Sequence, residues 1–276
     1  MIGRASLFVL LAGCQGGLAL RWTPASEGPE TWADARRGVW WGLASLGAAP
    51  DSAALSHEQD DGGATVFSVD PGRLELGDAV AFQAAYDDLA ALQTPVEIGQ
   101  LFLATVYEPE IYYAITATPS DFATWEAGHP MPAPFEHTVS ASSVSFGDRT
   151  VHFDSDRTSL HSNSVESDGS HEVLDVLPNG AMRFAVYDAD GALAPEVDPM
   201  VAVAGGSGTC MSCHFGKLLQ TFDRLPEDAE LDALIADRQL AIDEARLAID
   251  GPVDFADDTP NQFEGLVMPF VNGFPP

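Results

Sequence analysis

Two of the three cysteines in this 276-residue chain stand in the run Gly205-Gly206-Ser207-Gly208-Thr209-Cys210-Met211-Ser212-Cys213-His214. Two thiols and an imidazole at this spacing admit three chemistries. A structural zinc site takes four ligands, commonly with a second Cys or His pair at similar spacing, and no second cysteine pair exists here. A thioredoxin-like redox pair opens a helix after a strand in a β-α-β setting, which the neighbouring sequence lacks. Covalent haem attachment needs what is present. Two thiols on one turn of backbone can add to the two vinyl groups of a porphyrin, and the histidine that follows can reach the iron. The expectation is one haem c, tethered through Cys210 and Cys213, with His214 as an axial ligand to iron.

Through this Cys-Met-Ser-Cys-His motif and a later Val267-Met268-Pro269-Phe270, the chain resembles the monohaem c-type cytochromes over residues 205–276. The resemblance implies that Met268 supplies the sixth iron ligand. Pro269 restrains Met268 to extended backbone, and thioether ligation favours reduced iron. A weaker resemblance joins the β-rich stretch ending Met182–Leu193, the cysteine motif and the following Thr221-Phe222-Asp223 to the cytochrome P460 and cytochrome c′-β group. That likeness implies a haem walled by a sheet, with an open iron site that binds a gas or a peroxide. The P460 cross-link needs a lysine upstream of the motif. The sole lysine, Lys217, lies downstream, so hydroxylamine chemistry is not expected. Six other histidines, at 57, 129, 137, 152, 161 and 171, are reserve ligands set in polar, loop-like sequence. His152 and His171 stand first among them.

The third cysteine bears on the compartment. An apolar run from Ala5 to Leu11 is followed by Leu11-Ala12-Gly13-Cys14, which resembles a bacterial lipoprotein signal cut before a lipidated cysteine. The run is too short to span a bilayer, where about 18 apolar residues are needed. The expectation is a protein of the bacterial cell envelope, lipid-anchored at Cys14 and facing the periplasm or exterior. The membrane is reached through that anchor alone. Forty-two Asp and Glu against 12 Lys and Arg give a net charge of −30, which repels nucleic-acid phosphates and excludes a nucleic-acid partner. The partner class that fits is a redox protein, and the net charge favours one of basic surface. The activity expected is electron transfer by a carrier rather than catalysis, so no catalytic residue is assigned.

The elements that must hold this motif read as an α+β chain: an antiparallel β-rich body with flanking helices and a C-terminal haem-bearing segment. The boundaries are a signal over 1–13, a linker over 14–29, a helix-plus-sheet body over 30–200 and a haem region over 201–276. Helical spacing marks Glu30–Leu46, closed by Gly47, and a helix after Asp78 that ends before Pro95. Residues 49–64 read as loop. Alternation from Val96 predicts strands, so that an antiparallel meander runs from about 96 to 194, with a hairpin at Asn179-Gly180 and a turn at Asp190-Gly191. A last helix follows from about Glu227 to Gly251, with Leu231, Leu234, Ile235, Ile242, Ala245 and Ile249 on its apolar stripe.

Acylation contributes about 0.8 kcal/mol for each buried CH₂ group. Cys14→Ser is therefore expected to shift the protein from the membrane pellet to the supernatant, or to leave an uncleaved precursor. Fractionation and mass spectrometry of the mature terminus measure this.

Overall fold

Residues 17–23, 32–61, 64–129, 136–139, 149–153, 160–164, 169–194, 207–213 and 229–247 are described by a computed structural model, and they form an α+β arrangement with two sheets. Strand β1 (Leu18–Trp22) lies in the stretch read as linker. Its alternating Leu18, Leu20 and Trp22 are buried, because the strand is central in its sheet. It pairs antiparallel with β3 (Ala64–Val69) and parallel with β4 (Val96–Glu97), while β2 (Leu55–Asp61) covers the far side of β3. The stretch expected as loop over 49–64 therefore contains strand β2. Its Ser, His, Glu, Gln and Asp suit an edge strand, and such polar composition hides strand character from a hydrophobic pattern.

Helix α1 (Trp32–Ser45) ends as its sequence predicts, with Gly47 at φ +93° and its N–H bonded to the Ala44 carbonyl. Its Gly38 lies so close to the Trp22 ring that a Cβ would collide with it, which seats α1 on β1. Helix α2 (Ala79–Ala90) is capped by the Asp78 carboxylate, which accepts from the N–H groups of Val80 and Ala81 at 2.9 Å. Phe82, Ala85 and Tyr86 of α2 are buried as expected, whereas Leu92 is exposed.

The largest correction concerns residues 96–128. They form β4 and then three short helices, α3 (Ile98–Val106), α4 (Pro109–Ile115) and α5 (Phe122–Gly128), not strands. Helix α3 packs against α1, α2, α4 and β1, so it is apolar nearly all round. Ile98, Gly99, Leu101, Phe102, Thr105 and Val106 are all buried. A helix whose only polar residues are Gln100 and a buried Thr105 carries no clear polar stripe, and its run of apolar residues satisfies a period of two as readily as 3.6. Pro109 at the first turn of α4 is the local signal for a helix start.

The meander itself begins later than expected. Strands β5 (Glu136–Val139), β6 (Arg149–Phe153), β7 (Leu160–Ser164), β8 (His171–Val176) and β9 (Met182–Tyr187) form one antiparallel sheet in sequence order. The Asn179-Gly180 hairpin joins β8 and β9, with Gly180 at φ +86°. Asn179 is buried, and its side-chain amide donates to the carbonyls of Ala44 and Ala48 at 2.8 Å. This turn therefore satisfies the open C-terminal end of α1 and ties the second sheet to the first layer.

Helix α5 is fastened to the same sheet by a buried carboxylate. Asp175 of β8 is 2% exposed. It accepts a two-pronged contact from Arg183 directly opposite on β9, at 2.9 and 2.6 Å, and the Trp125 indole N–H at 2.8 Å. His129 Nε2, just past α5, lies 3.2 Å away. Arg183 also donates to the carbonyls of Thr116 and Ala117 at the end of α4, both at 3.1 Å. Burial pushes the Asp175 carboxyl up. The hydrogen bond from His129, with the charge and hydrogen bonds of Arg183 and the Trp125 indole, outweighs it and holds the group below the usual carboxylate range.

Asp175→Asn leaves the Arg183 guanidinium buried without its counter-charge, which costs about 3–5 kcal/mol. The urea midpoint is expected to fall accordingly. Because the folded carboxyl is depressed, its stabilisation is complete above the unfolded carboxylate pKa and is lost as pH falls through the folded value. The wild type should therefore lose more stability between pH 5 and acid, in the range of about 5 to 1, than the variant does.

Candidate functional site

The cysteine motif lies on helix α6 (Ser207–Cys213), which packs on β9, α3 and α4. Three residues dock it. Ser207 is 1% exposed, and its hydroxyl donates to the carbonyl of Val106, the last residue of α3, at 2.8 Å. Gly208 is buried against the Tyr107 ring, where a Cβ would stand 2.9 Å from ring carbons. Met211 is buried in the core. The glycine is thus needed for approach to an aromatic ring of the same chain.

At 100° per residue, positions 207, 208 and 211 share the docked side of the helix, while 210 and 213 sit one turn apart on another side. Cys210 is half-buried and packs at the margin of the core. Its neighbour is Tyr113 of α4. Burial pushes the Tyr113 phenol up, the hydrogen bond from the Val186 N–H opposes this, and the charge of Cys210 adds to the rise. Tyr113 remains a neutral hydroxyl that donates to the Ala194 carbonyl at 3.0 Å and accepts from Val186 N at 3.3 Å. Tyr112 accepts from Phe184 N at 3.3 Å in the same way. The two tyrosines supply partners for the outer edge of β9 that a further strand would otherwise take.

Tyr113 also lines an open cleft of about 360 Å³ along α4, shared with Ala114, Thr118, Ser120 and Leu193. That volume lies at the small end of ligand pockets. The cleft and Cys210 therefore meet at one phenol.

The remaining expected site residues divide sharply. Cys14, His214 and Met268 lie outside the described residues, and so does the side chain of Cys213. The reserve histidines are not in loops: five stand in strands, His57 in β2, His137 in β5, His152 in β6, His161 in β7 and His171 in β8. His129 is held by Asp175. The His171 ring stacks on Phe122 with centroids 4.1 Å apart, and burial pushes its pKa below the ordinary value. Strands β2 and β5 lie at sheet edges, and β6, β7 and β8 inside the second sheet, so strands of polar composition resemble loops in sequence at either place.

Among the described residues no three ligating side chains stand together, and no helix is long and apolar enough to cross a membrane. Ser207, Tyr107 and Tyr113 were not singled out from sequence. A buried serine opening a helix has only its hydroxyl as signal, and a tyrosine pair reads as core. No protein-family model, curated protein or solved structure matches the chain.

Gly208→Ala is expected to destabilise the protein by about 1–3 kcal/mol, since a methyl group overpacks the Tyr107 contact. Adding Tyr107→Ala should make the glycine substitution nearly neutral, a coupling that a double-mutant cycle of denaturation midpoints measures.

Proposed function

We propose that the chain is a lipid-anchored monohaem c-type cytochrome of the bacterial cell envelope that transfers electrons. The observation that carries this reading is the sequence Cys210-Met211-Ser212-Cys213-His214 on a helical turn that begins at a docked, buried end. In this reading Cys210 and Cys213 would hold the porphyrin by thioethers, and His214 and Met268 would be the residues that ligate the iron. When bound, the haem supplies a one-electron ferric–ferrous couple. The residues of the chain itself do the positioning. Ser207 and Gly208 fix the start of the turn, and Met211 anchors it in the core between the two thiols. The proposed Cys14 anchor keeps the body at a membrane surface, and the −30 charge favours a basic redox partner.

A second reading keeps the same covalent attachment but leaves the sixth position open to a gas or peroxide, as in the c′-β group. Its support is the contact between α6 and the edge strand β9, which brings an antiparallel sheet to the motif.

The test is an optical spectrum of protein made with a haem-attachment system. Covalent haem that resists acidified organic solvent is expected, and loss of it in Cys210→Ala with Cys213→Ala. A far-red sulfur-to-iron band in the ferric protein, abolished by Met268→Ala together with a fall in potential and new carbon monoxide binding, is expected of the carrier. Ready carbon monoxide binding by the wild type selects the open-site reading instead, and absence of covalent pigment overturns both. The rate of electron transfer to a basic partner should fall steeply as salt rises, because screening lengths shrink to about 10 Å at 0.1 M.

A further inference from the structure

The open cleft along α4 is built from two segments that carry one sign of charge. Residues 107–129 and 184–194 together hold Glu108, Glu110, Asp121, Glu126, Asp188 and Asp190, and neither segment holds a lysine or an arginine. Arg183, just before the second segment, is engaged by Asp175 and by the last carbonyls of α4. Backbone hydrogen bonds fasten the two segments to each other. The Phe122 N–H donates to the Gly191 carbonyl at 2.9 Å, and the Leu193 N–H to the Ser120 carbonyl at 3.3 Å. The Asp188 side chain folds the same turn by accepting from the N–H groups of Asp190 and Ala192, at 3.0 and 2.9 Å. The rim of the cleft is thus fixed by the chain itself.

The lining of the cleft divides by chemistry. Tyr113, Ala114 and Leu193 supply apolar surface, while Glu110, Thr118 and Ser120 supply a carboxylate and two hydroxyls. A lysine side chain carries both complements. Its methylene stem lies along apolar surface, and its ammonium offers three N–H donors to the oxygens. At about 360 Å³ the open cleft is near the lower bound of ligand pockets, which suits one long side chain presented by another protein.

We propose that the α4 cleft is the docking site of a basic protein partner, with a lysine of that partner seated against Leu193 and Glu110. The occupant follows from charge complementarity. A cleft lined by one sign of charge focuses the field and raises the association rate of an oppositely charged partner by about 10–10³. The inference rests on the electron-carrier reading for its purpose: Tyr113 neighbours Cys210, so a protein seated here lies beside the proposed haem tether.

The experiment uses the full chain made with a haem-attachment system, and a small c-type cytochrome of lysine-rich surface as the probe. Two quantities are measured at low salt: the bimolecular rate at which the reduced chain passes one electron to the oxidised probe, and the affinity of the two proteins by calorimetry. Glu110→Lys and Leu193→Trp should each weaken binding and lower the rate by about tenfold or more. Glu110→Lys should also flatten the salt dependence, whereas Leu193→Trp, which fills the cleft without changing charge, should leave it steep. Asp88→Lys makes the same charge change at an exposed position of α2 and should alter neither quantity. Reduction of every variant by a neutral small reductant should match the wild type, which checks that haem and fold are intact. Glu110 is exposed, so its substitution tests the site even where the tryptophan disturbs packing. Absence of probe binding by the wild type, affinity and rate unmoved by Glu110→Lys, or an equal effect of Asp88→Lys would each overturn the site. A chain that takes up no haem would defeat the carrier reading, and the calorimetric comparison of the same variants would still decide whether the cleft holds the basic protein.

Discussion

The position of the cysteine helix depends on a charge pair more than twenty residues away in the chain. Asp175 gathers the Arg183 guanidinium, the Trp125 indole and His129 around one buried carboxylate. Leaving such a carboxylate without partners costs several kcal/mol, so β8, β9 and α5 are held in one arrangement. Arg183 extends the constraint to the last carbonyls of α4, which a cation stabilises at a helix C-terminus. Helix α4 in turn carries Tyr112 and Tyr113, whose hydroxyls close the edge of β9. The seat of α6 is made of β9, α3 and α4. A haem tethered on α6 would inherit its placement from that network.

The same surfaces explain why the docked end of α6 is small and polar. Ser207 reaches the Val106 carbonyl, which the end of α3 leaves open. Gly208 lets the helix approach the Tyr107 ring. A bulkier start would lift positions 210 and 213 away from β9. Met211, between the thiols in sequence, fills core space, as a flexible thioether does well.

Charge is distributed to the same end. The chain has few cations, and several of them are spent inside or at its margins: Arg183 on Asp175, Arg21 on the buried Glu97, and Arg73 on Asp51. Among the described residues the buried carboxylates are Glu97 and Asp175. A net charge of −30 steers cationic partners, which fits the proposed redox encounter.

Sequence alone determined the local features of this protein. Gly47, Asp78 and Asn179-Gly180 act through their own backbone and near neighbours, and each sits where its chemistry predicts. The Cys210-Met211-Ser212-Cys213-His214 motif is local in the same sense, and so the proposal made from it rests on the sequence rather than on the fold. Tertiary structure decided everything that depends on what covers a residue. Helix α3 could not be told from a strand, because its extensive burial leaves too few polar residues to set the period. Strands β1 and β2 were hidden by brevity and by polar composition. The pairing of Asp175 with Arg183 and the meeting of Ser207 with Val106 join residues on separate elements. Register and packing bring such groups together, and a one-residue slip of a strand would move every one of its side chains to the opposite face.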